Sequence, residues 1–212
     1  MRTHITIRNW AEPRNIKITD KQLSLLFQHQ NKVLETNKQI NLTAITDPTE
    51  FAVKHIIDSL SLLPYIPENA QIADIGTGAG FPGVVLAIMR PDIHVTLIDS
   101  LRKRIFFLQK TVDELALPNV TCIHTRAEDL ARSGTAFDIC VARAVASMDK
   151  LAKWIMPITK QGGTFLAMKG PNVLEELEKA KPAIAKQGGH VKSVDTVEIS
   201  NEIKHSIIVI EA

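Results

Sequence analysis

The chain has 212 residues, 45% of them hydrophobic and 23% charged, with ten Gly, ten Pro and a formal net charge of +2. These proportions exclude collagen-like, coiled-coil and intrinsically disordered chains. The length suits one domain of roughly 150 residues with an extension.

Taken from the start, the N-terminal segment lacks the apolar core of a signal peptide, and no later apolar run approaches the roughly 18 to 20 residues of a membrane span. A cytoplasmic protein without a membrane partner is expected. Thr19 and Asp20 are capping candidates for a helix from about Lys21 to Lys38, and Asp47-Pro48-Thr49 opens another that reaches Leu63 ahead of Pro64. Residues 1–65 therefore read as an N-terminal helical extension packed on a core of residues 66–212.

From residue 71 onward, short β-rich runs alternate with helical stretches, as in a parallel sheet covered by helices. Strands are expected over 71–76, 94–100, 120–125, 137–144 and 164–170. Helices are expected from Pro82 to Arg90, Arg102 to Leu117, Met148 to Lys160 and Asn172 to Gln187. Ile105, Phe106, Leu108, Val112 and Leu115 give the second of these an apolar face, and Pro82 fits a first helical turn, where no amide hydrogen is missed. The last two strand-like runs, 191–200 and 204–212, are joined by a short polar link and predict an antiparallel hairpin. The expected fold is α/β and Rossmann-like, a seven-stranded mixed sheet with a terminal antiparallel hairpin and an N-terminal helical addition. Cys122 and Cys140 fall in apolar strands without a CxxC spacing, so reduced thiols and no metal are expected.

The most informative stretch is the loop from Asp74 to Gly83, in which Gly76, Gly78 and Gly80 follow an apolar strand and precede a helix. Alternating glycines there remove side chains where a ligand must lie against backbone at the C-terminal edge of a strand. Gly78 to Gly83 also satisfies G-x-G-x-x-G, but in the wrong register for a nicotinamide cofactor, because Gly76 already holds the place directly after the strand. Asp74 points the same way: a carboxylate there disfavours a pyrophosphate and favours a ligand with ammonium and sulfonium charges, as S-adenosylmethionine has. At the end of the second strand, Asp99 can accept the hydroxyls of an adenosine ribose, while Asp99 or Ser100 can also cap the next helix. Arg126-Ala127-Glu128-Asp129, after the third strand, fits either an adenine contact or an acidic helix start.

Asn41-Leu42-Thr43-Ala44-Ile45, His55-Ile56-Ile57-Asp58-Ser59, the loop from Asp74 to Gly83, Asp99 to Arg104, Arg126-Ala127-Glu128 and Arg143-Ala144 together resemble the bacterial RsmG (GidB) family over roughly residues 35 to 170. The resemblance implies a class I methyltransferase that moves the methyl of S-adenosylmethionine to N7 of one guanine in 16S ribosomal RNA. Its substrate would be a small ribosomal subunit or an assembly intermediate. It further implies that Gly76, Phe81, Ala127, Glu128 and Arg143 hold the cofactor. Many relatives have a Ser before that Arg, where this chain has Ala142. The residues by themselves also leave open a class I methyltransferase with another substrate, or a non-catalytic RNA-binding assembly factor.

Guanine N7 carries a lone pair and no proton, so its methylation demands alignment rather than a general base. In agreement, no nucleophile, base and orienter set stands near the loop, and no catalytic residue is assigned. Val141 to Val145 occupies the place where methylators of exocyclic amines carry Asn/Asp-Pro-Pro-aromatic, and Cys140 lies inside a strand, where its pKa should rise. Arg143 can meet guanine O6, a phosphate or the cofactor, or form a surface ion pair. His55 with Asp58 either lines the same cleft or makes a local helix pair. Lys169, at the end of the fifth strand, can meet RNA phosphate. Arg102, Lys103 and Arg104 fit phosphate contacts or a solvated helix start. Residues 1–40 carry seven basic and three acidic side chains, 141–192 nine and four, 41–140 eight and twelve, and 193–212 one and four. Two positive blocks thus flank an acidic middle, as in a split phosphate-facing surface or two solvated helical faces. With only 5% aromatic residues, shape and phosphate contacts, rather than base stacking on a sheet, should govern RNA reading.

Overall fold

The computed structural model describes residues 2–212, with the side chain of Arg2 outside the description. Seven strands form one sheet in the order β3-β2-β1-β4-β5-β7-β6. They are β1 Gln71–Ile75, β2 His94–Asp99, β3 Val120–His124, β4 Phe137–Arg143, β5 Thr159–Lys169, β6 His190–Glu198 and β7 Lys204–Glu211. The first five run parallel, and β7 pairs antiparallel with both β5 and β6. This is the mixed sheet with a terminal hairpin read from the sequence. The strand order reverses between β1 and β4, so the loops there diverge and leave a crevice at the C-terminal edge.

Side chains alternate across the central strands, as a period of two requires. Ile72, Leu97, Val141, Leu166 and Val209 enter one hydrophobic cluster, and Ala73, Ile98, Cys140, Phe165 and Ile208 enter another on the opposite face. The second face is covered by α7 Ala127–Arg132, α8 Met148–Ile155 and α9 Leu174–Lys186; the first is covered by α5 Gly83–Met89, α6 Arg102–Glu114 and the N-terminal helices.

Those N-terminal helices are α1 Arg2–Ala11, α2 Asp20–Thr36 and a composite helix over 48–60. Thr19 caps α2 with a full capping box: its hydroxyl accepts from Gln22 N at 3.2 Å, and Gln22 Oε1 accepts from Thr19 N at 2.9 Å. Leu23, Leu26 and Val33 of α2 then enter the same cluster as Val84, Leu86 and Ile88 of α5. The sequence reading contained no α1. Its Ile7, Trp10 and Ala11 are nonetheless buried, and Trp10 Nε1 donates to Glu198 O at 2.8 Å, fastening the start of the chain to the terminal hairpin.

Three local expectations need correction. Phe106 is 75% exposed, because it sits about 100° around the helix from its neighbour Ile105 and off the stripe formed by Leu108 and Val112. α6 has no side-chain cap: Leu101 is its N-cap, and Asp99 Oδ1 accepts from Leu101 N at 2.8 Å, so Ser100 is not the cap. The helix from Met148 stops at Ile155 and tightens into a 3₁₀ turn, Met156–Ile158, where Pro157 offers no amide hydrogen.

Leu26 is fully buried between α2 and the sheet-covering layer. Leu26→Ala should lower the unfolding free energy by about 2–5 kcal/mol. Urea denaturation checks this, and a loss under about 1 kcal/mol would mean that α2 is only loosely seated.

Candidate active site

The crevice at the C-terminal edge has two parts that meet at Gly76, a larger one of about 500 Å³ and a smaller one of about 250 Å³. Its floor is the loop between β1 and α5. Gly76 N and Thr77 N both donate to Ile98 O, at 2.8 and 3.1 Å, which pins the loop to β2. Asp74 is fully buried beneath it; Oδ2 accepts from Thr77 Oγ1 at 2.7 Å and Gly83 N at 2.8 Å, and Oδ1 has no partner among the described residues. Burial pushes the Asp74 carboxyl up to about 6. This corrects the sequence reading, since Asp74 organises the loop from below and does not line the crevice. Asp99 Oδ2 accepts from Gly78 N at 3.1 Å and from Arg104 Nη1 at 3.2 Å, so Asp99 braces the loop from the side while lining the smaller part.

The three glycines have different physical reasons. A Cβ on Gly76 would stand 2.7 Å from Val145 Cγ2, and one on Gly80 would strike Val84, Leu108 and His29. Only Gly78, at φ +60°, opens freely: its nearest neighbour would be Gly76 O at 3.9 Å. Gly78 is therefore the position that leaves backbone bare to the crevice, whereas Gly76 and Gly80 are held by packing.

The opposite wall comes from the helix over 48–60. α3 Pro48–Phe51 and α4 Asp58–Leu60 are joined by a wider π turn, Ala52–Ile57. There Asp58 N–H reaches back to Val53 O, and the Lys54 carbonyl, which an α-helix would pair with Asp58, accepts from Arg143 Nη1 at 3.0 Å. Arg143 Nη1 also donates to Asp58 Oδ2 at 3.0 Å, and Nη2 donates to His55 Nδ1 at 3.0 Å. A guanidinium can only donate, so His55 is neutral with its proton on Nε2, which donates to Thr43 Oγ1 at 2.9 Å. Burial, and secondly the Arg143 charge, push the His55 pKa down to about 3. Asp58 Oδ1 faces His205 Nδ1 at 2.6 Å, and the Asp58 bond raises the His205 pKa above its ordinary value despite partial burial. Phe81 stacks on His55 at 4.9 Å, with His29 4.9 Å away on tilted planes.

Of the residues named from sequence, Gly76, Gly78, Phe81, Arg143, His55 and Lys169 line the larger part. Asp99, Ala127 and Glu128 line the smaller, and Gly80 points into the protein. His55 and Asp58 line the crevice together and are not a local pair, since both bond to Arg143. Lys169 Nζ donates to Ala146 O at 2.7 Å and Glu176 Oε1 at 2.8 Å, so its charge already has a partner. Arg104 turns inward to Asp99, leaving Arg102 and Lys103 exposed. Burial pushes the Cys140 thiol up to about 12, as expected of a strand-interior thiol. Sequence reasoning missed His205, Thr43 and Val145 as site residues; His205 and Val145 act through segments distant in sequence, and Thr43 and Val145 lay within named stretches that gave them no role.

Comparison with known proteins agrees with this architecture. The family model of GidB, rRNA small subunit methyltransferase G, matches residues 22–207. The chain belongs to the GidB family. Ribosomal RNA small subunit methyltransferase G of Clostridium botulinum is 41% identical over 203 residues, covering 93% of this chain and 85% of the relative. That of Clostridium perfringens is 44% identical over 189 residues, covering 86% and 79%. Among solved structures, the precorrin-6y C5,15-methyltransferase of Geobacter metallireducens shares the fold with a TM-score of 0.57 at 17% identity, covering 82% of this chain and 92% of that one. Aeropyrum pernix fibrillarin, solved with S-adenosylmethionine bound, has a TM-score of 0.56 at 15% identity, covering 73% and 72%. As a GidB-family protein with this fold, the chain is an S-adenosylmethionine-dependent methyltransferase. Its residues fit that cofactor: Gly78 leaves the cradle that a Cβ would fill, and the smaller recess carries the carboxylates of Asp99 and Glu128.

His29 is fully buried behind the loop, with no well-formed hydrogen bond to either ring nitrogen among the described residues, and burial pushes its pKa down to about 3. Below its unfolded value of about 6.5 only the unfolded chain takes up this proton, so stability is full above that pH and falls as pH drops. Asp74 acts in the opposite sense in any variant that keeps it. Relative to wild type, His29→Leu should flatten the pH dependence of unfolding free energy by about one proton, ~1.4 kcal/mol per pH unit, between about pH 4 and 6. Equal slopes in denaturation series would show that His29 is not buried neutral.

Proposed function

We propose that this GidB-family protein transfers the methyl group of S-adenosylmethionine to N7 of one guanine in 16S ribosomal RNA, within a small ribosomal subunit or an assembly intermediate. The observation that carries this reading is the family match across residues 22–207, laid over a crevice in which His55 and Asp58 are both engaged by Arg143. S-adenosylmethionine supplies an electrophilic sulfonium methyl when bound.

Gly76, Gly78 and Phe81 in the larger part, Asp99, Ala127 and Glu128 in the smaller, and Arg143 between the loop and the helix wall would hold the cofactor. Asp99 keeps the loop closed through Gly78 N, so the cradle is set before a ligand arrives. Leu42 and Ile45 add apolar wall to the larger part, where a flat base can be desolvated. None of the buried acids and bases is poised for proton removal: His55 and Asp58 are engaged by Arg143, and Asp74 lies under the loop. N7 has no proton to lose, so alignment is the remaining demand, which can supply roughly 7–11 kcal/mol through effective molarity.

Residues 1–65 then act as an extension that walls the substrate side of a core formed by residues 66–212. N7 faces the deep major groove of A-form RNA, so the target must be unpaired or extruded. A ribosomal substrate implies work in the cytoplasm.

The test is transfer of labelled methyl to small subunits lacking the modification and to their stripped RNA, with the labelled base mapped. Label at N7 of a single guanine is expected; label elsewhere, or none despite cofactor binding, would overturn the reading. Gly78→Asp strains the backbone at φ +60°, though less than most side chains would, and puts a second carboxylate into the cradle. It should weaken cofactor affinity at least about 100-fold, roughly 2.7 kcal/mol, while the backbone strain lowers the melting temperature by only a few degrees and the variant stays folded, as read by calorimetry.

A further inference from the structure

β7 runs against the parallel strands, so its first residues reach the same edge as the last residues of β5, with Ser206 opposite Lys169. His205 thereby arrives at the crevice from the C-terminal end of the chain and lines its larger part beside Arg143. Its Nδ1 lies 2.6 Å from Asp58 Oδ1, while Asp58 Oδ2 is taken by Arg143. Asp58 is buried, whereas the His205 side chain is 29% exposed. Nε2 has no partner among the described residues.

This arrangement is more than a strut between hairpin and helix. A carboxylate on Nδ1 fixes both the ring orientation and the proton on that nitrogen, which decides what Nε2 can offer. The charged groups around the ring are Asp58 and Lys54 on the helix and Arg143 on β4. On its own strand, Lys204 is paired with Glu198 at 2.8 Å. Asp58 favours the imidazolium and Arg143 and Lys54 oppose it, with the balance toward the charged form. An imidazolium here presents an Nε2–H donor to the crevice.

We propose, resting on the reading of N7 as the acceptor, that His205 is a specificity-determining residue whose Nε2–H donates to O6 of the target guanine. O6 and N7 lie side by side on one edge of the base, so a donor in the crevice that receives N7 faces O6 as well. Adenine carries an amino donor at that place and would meet the imidazolium donor to donor, leaving both unpaired. The interaction selects the base without taking part in bond making.

The test uses small subunits carrying either guanine or 2-aminopurine, which lacks O6, at the mapped position. Wild type should prefer guanine, and its kcat/KM should fall as pH rises through the imidazole pKa. His205→Asn should lower kcat/KM for guanine at least tenfold, flatten that pH limb and lose the preference over 2-aminopurine. Cofactor affinity should stay within twofold. Wild-type kcat/KM in the variant, or a retained guanine preference, would overturn the proposal. So would a loss that tracks cofactor affinity or melting temperature, which would make His205 a strut only; His205→Gln, whose longer side chain carries its amide donor to about the place of Nε2 where that of Asn falls short, should recover part of the guanine preference. Failure of the wild type to label ribosomal RNA at all would instead overturn the function reading, and this proposal with it.

Discussion

The Asp58 carboxylate, almost wholly buried, accepts from Arg143 on β4 and faces His205 on β7, while its own backbone lies in the N-terminal helix. Three segments far apart in sequence are thus joined at the edge where the sheet opens. Pairs of this kind rarely add much net stability over an apolar alternative, but removing one partner leaves an uncompensated buried charge and costs about 3–5 kcal/mol. The contact therefore serves more to fix one arrangement than to strengthen the fold. It does so with help from the π turn, which releases the Lys54 carbonyl to the same guanidinium, in keeping with the frequent siting of such turns at functional sites.

A second constraint acts on the loop. Asp74 from below and Asp99 from the side each bind backbone amides of the glycine segment, at Gly83 and Gly78. Phe81 then locks the loop to the helix wall through its stack on His55 and the Arg143 guanidinium 5.5 Å from its ring centre. Loop and wall are consequently one unit, between which the proposed function places cofactor and base. A reaction that needs alignment and no proton removal is well matched to such a rigid frame.

The central strands and the glycine loop were legible because their signals are local: alternating apolar runs, and glycines between a strand and a helix. The Thr19 cap was legible for the same reason. α1 was not, since the run Ile5-Thr6-Ile7 has β-branched residues of low helix propensity, and only burial of Ile7 and Trp10 decides the matter. The glycines illustrate a subtler limit: their pattern pointed to a ligand at all three positions, yet two answer to Val145, Val84 and Leu108, neighbours that no spacing rule supplies. The Asp58 cluster lay further out of reach, because its partners stand 85 and 147 residues away in sequence. Motif resemblance named Arg143 and His55 but carried nothing for the C-terminal hairpin that delivers His205.

The crevice depends on Asp58 and Arg143 forming one energetic unit, and a double-mutant cycle of Asp58→Asn and Arg143→Met on unfolding free energy measures that directly. Each single change should cost about 3 kcal/mol or more by stranding a charged or polar partner, while the double variant costs little beyond either, a coupling of at least about 1.5 kcal/mol. Additive losses would mean that the two side chains are neighbours without mutual dependence, and that the crevice is held together by something else.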